Sequence, residues 1–190
     1  MPMDSVVPIQ QLWSPILVSV VLCFLAGFVL HMLIPLHKGD WVGLPGEPGV
    51  LDALKKAGAG AGHYMLPWCD PKDMKSAEFQ AKWAAGPVGI LVLRRPGKFT
   101  MTPMLMGMVV YHLVVSLFIA YLAGRTLGPG ADYLQVFRIA GTAAIMAYGF
   151  GFAPHAIWYG YSRSFVVKQF TDAVVWGLLT AGTFGWLWPR

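Results

Sequence analysis

Charge is scarce in this chain: Lys, Arg, Asp and Glu make up 12% of its 190 residues, against about 25% in soluble domains. That deficit excludes a disordered segment or a charge-laced coiled coil, and the glycines follow no collagen period. Cysteine is scarcer still. Cys23 lies in an apolar run and Cys69 in a polar stretch, so a disulfide scaffold is excluded and a bridge between them is not expected. Local catalytic signatures are missing as well. There is no Walker A phosphate loop, no nucleophile elbow and no His-Glu-x-x-His, and nothing in the chain proposes a reaction. The net charge of +5 does not come from a basic run interleaved with aromatics, so nucleic acid is not an expected partner.

What fills the chain is apolar. Hydrophobic residues are 56% of the total and mean hydropathy is +0.57, so much of the apolar surface must face lipid. About 20 apolar residues cross a bilayer as a helix. Four stretches qualify as spans: residues 14–34, 103–123, 133–158 and 165–187. The first is not a convincing signal peptide, since no Lys or Arg precedes it and no small-x-small site follows. The expected fold is an all-α membrane domain over residues 1–190 with four transmembrane helices and an extramembrane insert at 35–102. No internal repeat divides the spans into similar halves.

Most of the basic residues lie on one side of such a bundle. Lys38, Lys55, Lys56, Lys72, Lys75, Lys82, Arg94, Arg95 and Lys98 fall in the insert, and Arg163 and Lys168 join them; Arg125, Arg138 and Arg190 fall opposite. The positive-inside rule then puts the insert in the cytoplasm and both termini outside the membrane. The insert reads as a small α+β lid. Residues 50–57 form a short helix ended by Gly58, and a second helix opens at Asp70-Pro71, with Asp70 as its cap, and stops at Gly86-Pro87. Residues 88–93 read as a strand, whose partner is either 63–66 or 99–101.

Three histidines lie in or beside spans: His31, His112 and His155. With Arg138, Lys168 and Asp172 they are the ionisable groups that a membrane makes costly, hence functional candidates. Two histidines at one depth plus a carboxylate suit a metal, and two facing histidines suit a haem. The competing reading pairs Lys168 with Asp172 at i,i+4 and Arg138 with Asp132. His37-Lys38-Gly39-Asp40-Trp41 reads as an interfacial anchor, with a headgroup or anionic-ligand site as the alternative. The run Met101, Met104, Met106 and Met108 is apolar filler before it is a copper site. His63, Cys69, Asp70 and Asp73 form a loose cluster without the Cys pair that zinc prefers. Small residues recur every four positions at Ala143, Ala147 and Gly151, as do Gly141, Ile145 and Gly149, and again at Gly177, Ala181 and Gly185, which lets helix backbones approach closely in lipid.

Residues 121–144 (YLAGRTLGPGADYLQVFRIAGTAA) and 178–189 (LLTAGTFGWLWP), with His37-Lys38-x-Asp40 and Gly86-Pro87-Val88-Gly89, resemble a set of uncharacterised bacterial multi-pass membrane proteins of similar length. The resemblance implies a bacterial inner membrane and carries no activity or cofactor with it. Three functions are compatible with these residues. The first is a non-catalytic accessory subunit docking other membrane proteins. The second is a haem- or metal-binding redox protein using the histidines. The third is a small oligomeric transporter or channel.

Overall fold

The computed structural model describes residues 6–190, and these are mainly helical. Helix α1 (Trp13–Phe28) follows a 3-10 turn at Ile9–Leu12 and continues through one π-helical turn, Val29–Leu33. Helices α4 (Thr102–Thr126) and α7 (Arg163–Trp186) pack with it, and α5 (Tyr133–Gly149) packs on α4 and α7. The short α6 (Phe152–Tyr159) follows a break at Phe150–Gly151. Between α1 and α4 lie α2 (Glu47–Lys56), β1 (Gly62–Leu66), α3 (Ala77–Ala85) and β2 (Gly89–Leu93).

Three helical stretches are long and apolar enough to cross a membrane: Ile9–Leu33, Thr102–Thr126 and Tyr133–Tyr159. The expectation of four is met only in part. Helix α7 has the length, but Lys168, Gln169, Thr171, Asp172, Thr180 and Thr183 lower its hydropathy. The reason is its position. It packs against both α1 and α5 and buries Asp172, Trp176, Gly177, Thr180 and Ala181, so fewer of its residues need to suit lipid.

The chain divides into two compact units. One comprises residues 1–40, 100–157 and 161–190, and the other Trp41–Phe99 with Trp158–Gly160. The core of the helical unit is built from residues such as Leu12, Ile16, Ile119, Val136, Tyr148 and Phe184. Its tightest contact is α5 on α7, where glycine is needed for space. A Cβ on Gly177 would strike Ile145, and one on Gly141 would lie 3.0 Å from Ala181. The α5 face that meets α7 is therefore Gly141, Ile145 and Gly149 rather than the stripe Ala143, Ala147 and Gly151. Of that stripe, Ala143 is half-buried and packs against the core, while Ala147 and Gly151 are exposed.

In the other unit, β1 and β2 pair antiparallel, with His63 opposite Val92 and Met65 opposite Ile90. Of the two expected partners, residues 63–66 are the strand. The helix cap is corrected too. Asp70 makes no side-chain cap and opens only the 3-10 turn Pro71–Asp73. Ser76 caps α3 by accepting the Phe79 amide at 3.2 Å, because a new helix start follows the turn.

Candidate metal centre

The site is built where α1 ends. The π turn at Val29–Leu33 adds a residue to one turn, and such turns re-aim side chains. Here it sets His31 against α7, above Cys23 and Gly27, which touch Thr180 and Trp176 on the same helix. Pro35 then opens a 3-10 turn that ends at His37. His37–Asp40 then form a type II turn. Lys38 has φ −61° and ψ 123°, Gly39 has φ +88°, and the Asp40 amide donates to the His37 carbonyl at 3.1 Å. The positive φ at the third position suits glycine, and the turn brings His37 and Asp40 side by side.

These segments converge on one carboxylate of α7. Asp172 is wholly buried. It accepts from His31 Nε2 at 3.0 Å, and His37 Nε2 lies 3.2 Å from its Oδ1 and 3.1 Å from its Oδ2. The two imidazoles stack, with ring centroids 3.9 Å apart and planes at 12°. His37 Nδ1 donates to Asp40 Oδ2 at 2.8 Å, and Lys168 Nζ donates to Asp40 Oδ1 at 2.5 Å. That lysine holds the Asp40 carboxyl below the usual carboxylate range, with His37 adding to the effect. His37 thus has carboxylates at both nitrogens. Lys168 lies on the far side of Asp40, so one chain of contacts runs from Lys168 through Asp40 and His37 to Asp172.

The donor atoms of His31, His37 and Asp172 all lie within 4.8 Å of one another. In a tetrahedral site with bonds of about 2.0–2.1 Å, donors stand roughly 3.3–3.5 Å apart; each Nε2 lone pair lies in its ring plane, so holding a cation between both histidines requires the two stacked rings to turn out of parallel. Asp40 on His37 Nδ1 supplies the outer carboxylate that typically orients a metal-bound histidine. Haem does not fit this pair. Its two axial nitrogens must approach iron from opposite faces, whereas both Nε2 atoms here turn onto one carboxylate.

The other candidate residues lie elsewhere. His112 is buried on α4, 3.3 Å from the Tyr148 hydroxyl and edge-on to Trp176. His155 is exposed on α6, its Nδ1 3.0 Å from the Gly151 carbonyl. His155, Ala147 and Gly151 line a cavity of about 280 Å³ with Tyr111, Tyr148 and Tyr161. Arg138 is exposed and makes no ion pair with Asp132 among the described residues. Lys168 and Asp172 do not pair with each other, since Asp40 and the histidines take them. His63 and Cys69 belong to no metal-competent group among the described residues.

Beneath the cluster the interior stays polar. Cys23 Sγ lies 3.5 Å from Thr180 Oγ1, and among the described residues the buried Ser19 Oγ, Ser116 Oγ and Trp176 Nε1 have no partner. The sequence reading took His37 and Asp40 as part of an anchor or anion site and did not join them to His31 and Asp172. The signal was present in His-Lys-Gly-Asp, a type II turn that pairs its first and last side chains.

No protein-family model, curated protein or solved structure matches this chain.

Proposed function

We propose that this chain is an integral membrane protein that binds a divalent transition-metal ion of the zinc class through His31, His37 and Asp172. The observation that carries the reading is the convergence of two Nε2 atoms on one wholly buried carboxylate at 3.0–3.2 Å. Imidazole and carboxylate donors suit such ions. Three protein ligands leave a coordination position open for exchange, and the 41% exposure of the His31 side chain gives it an approach.

The membrane setting is part of the proposal. At about 1.5 Å per residue, the 24 residues of α7 cover a bilayer core of about 30 Å, which makes a fourth crossing. The resemblance of residues 121–144 and 178–189 supports a bacterial plasma membrane. The excess of Lys and Arg in residues 35–102 supports a cytoplasmic insert and termini outside. The accessory-subunit and carrier readings have no observation of their own: the apolar side chains exposed on the spans are what lipid contact requires.

Cobalt titration of the detergent-purified chain, followed by visible absorbance and elemental analysis, tests the site. One cobalt or zinc per chain is expected, lost in His37→Ala and Asp172→Asn and retained in His112→Ala and His155→Ala. Failure of the unaltered chain to take up either ion overturns the reading and leaves a hydrogen-bonded cluster that joins α7 to the end of α1.

A further inference from the structure

The unit formed by Trp41–Phe99 and Trp158–Gly160 has almost no core: Phe79 is its one buried hydrophobic residue among the described residues. Its sheet shows what is left uncovered. Cross-strand partners share a face, so His63, Met65, Ile90 and Val92 lie on one side of the pair. Met65, Ile90 and Val92 are all exposed there, Val92 by 56%. Trp68 stands 71% exposed soon after β1, and Trp41 and Phe99 are exposed where the unit joins the flanking apolar helices. Arg94, Arg95 and Lys98 follow β2 directly, and residues 41–99 hold eight Lys and Arg against five Asp and Glu.

A uniformly apolar face would not identify what covers it. Exposed aliphatics and tryptophans beside a basic run do, because this is the composition of a surface at lipid headgroups. The reach is short. The apolar stretch Ile9–Leu33 ends eight residues before Trp41, and α4 begins three residues after Phe99. If those stretches cross a bilayer, its surface is the nearest partner at either junction.

We infer that the face carrying Met65, Ile90 and Val92 lies on the anionic headgroup surface of the membrane that the chain spans, held by Arg94 and Arg95. This rests on the membrane reading above and is independent of the metal site.

Site-directed nitroxide labelling of the full chain in vesicles tests it. Cys69 is replaced by Ser, Cys23 stays because it is wholly buried, and a label is placed at Val92→Cys or at Leu25→Cys. Leu25 is exposed on α1 and reports whether the span is inserted. In phosphatidylcholine–phosphatidylglycerol vesicles, the Val92 label is expected to be reached by oxygen and shielded from a soluble nickel chelate. That shielding falls in phosphatidylcholine alone, and Arg94→Gln and Arg95→Gln each reduce the shielded-to-exposed ratio by about fivefold. A Val92 label open to nickel in both vesicles while Leu25 is shielded overturns the proposal and spares the membrane reading. Equal shielding in both vesicles overturns it too, as does shielding from oxygen and nickel alike, which marks protein contact. A Leu25 label open to nickel removes the premise and the proposal together.

Discussion

Lys168 Nζ lies 2.5 Å from Asp40 Oδ1, across 128 residues of chain, although Asp172 stands one turn away on its own helix. The consequence is a division of labour on α7. Lys168 holds the turn that carries His37, and Asp172 takes the two imidazoles.

Breaking that link should loosen metal binding without removing a ligand. Loss of an outer carboxylate typically costs about 10–100-fold in affinity. Asp40→Asn is expected to weaken cobalt binding by about that much at unchanged stoichiometry. Lys168→Met leaves the Asp40 carboxylate without its cation and should lower the Tm of the metal-free chain. Adding Asp40→Asn to Lys168→Met should restore part of that Tm. Competition titration with a chelator and thermal unfolding in detergent read these effects. Unchanged affinity in Asp40→Asn would show that His37 is oriented without it.

The α5–α7 contact depends on the absence of side chains at particular positions. Gly177→Leu must displace Ile145 and its backbone, and overpacking of this kind costs about 1–3 kcal/mol. Gly151→Ala meets nothing within 4 Å and should leave stability nearly unchanged. The two variants differ in thermal unfolding if the packing face is as described. Equal Tm values would place the tight contact elsewhere.

Cys69 should be a slow thiol at neutral pH. Burial raises its pKa above the ordinary thiol value, and Asp73 and Asp70 raise it further by repelling the thiolate. The thiolate is the nucleophile, so maleimide should react more slowly with Cys69 at pH 7 than with a free peptide thiol. The rate should keep rising with pH beyond the point where the free thiol levels off. Asp73→Asn shifts that profile toward lower pH. Mass spectrometry after timed quenching gives the rates, with Cys23 staying unlabelled because it is wholly buried.

Much of the architecture was legible in the residues. Long apolar runs announce membrane-length helices because lipid leaves backbone groups no other partner. The breaks at Pro35 and Gly86-Pro87 fall where the structure ends or turns its elements. Less legible was the cap of α3. Asp70-Pro71 and Ser76 both carry the local chemistry of a helix start, and only the extra turn at Pro71–Asp73 separates them. The small-residue faces misled in part, since a four-residue period fits two neighbouring stripes of α5 equally well. Which stripe meets α7 depends on helix rotation, which sequence spacing leaves open.

The sequence by itself determined that long apolar runs dominate the chain and that every charge placed among them is costly, though three of the four expected runs proved long and apolar enough to cross a membrane. It also held the turn that sets His37 beside Asp40, because only glycine takes the positive φ at its third position without strain. What only the tertiary structure decided was who pairs with whom. Local rules give Lys168 to Asp172. The π turn at the end of α1 carries His31 onto α7, and the turn after it carries His37 and Asp40 along. A buried carboxylate takes the partners that best replace its lost water. For Asp172 those are two imidazoles from the far end of the chain.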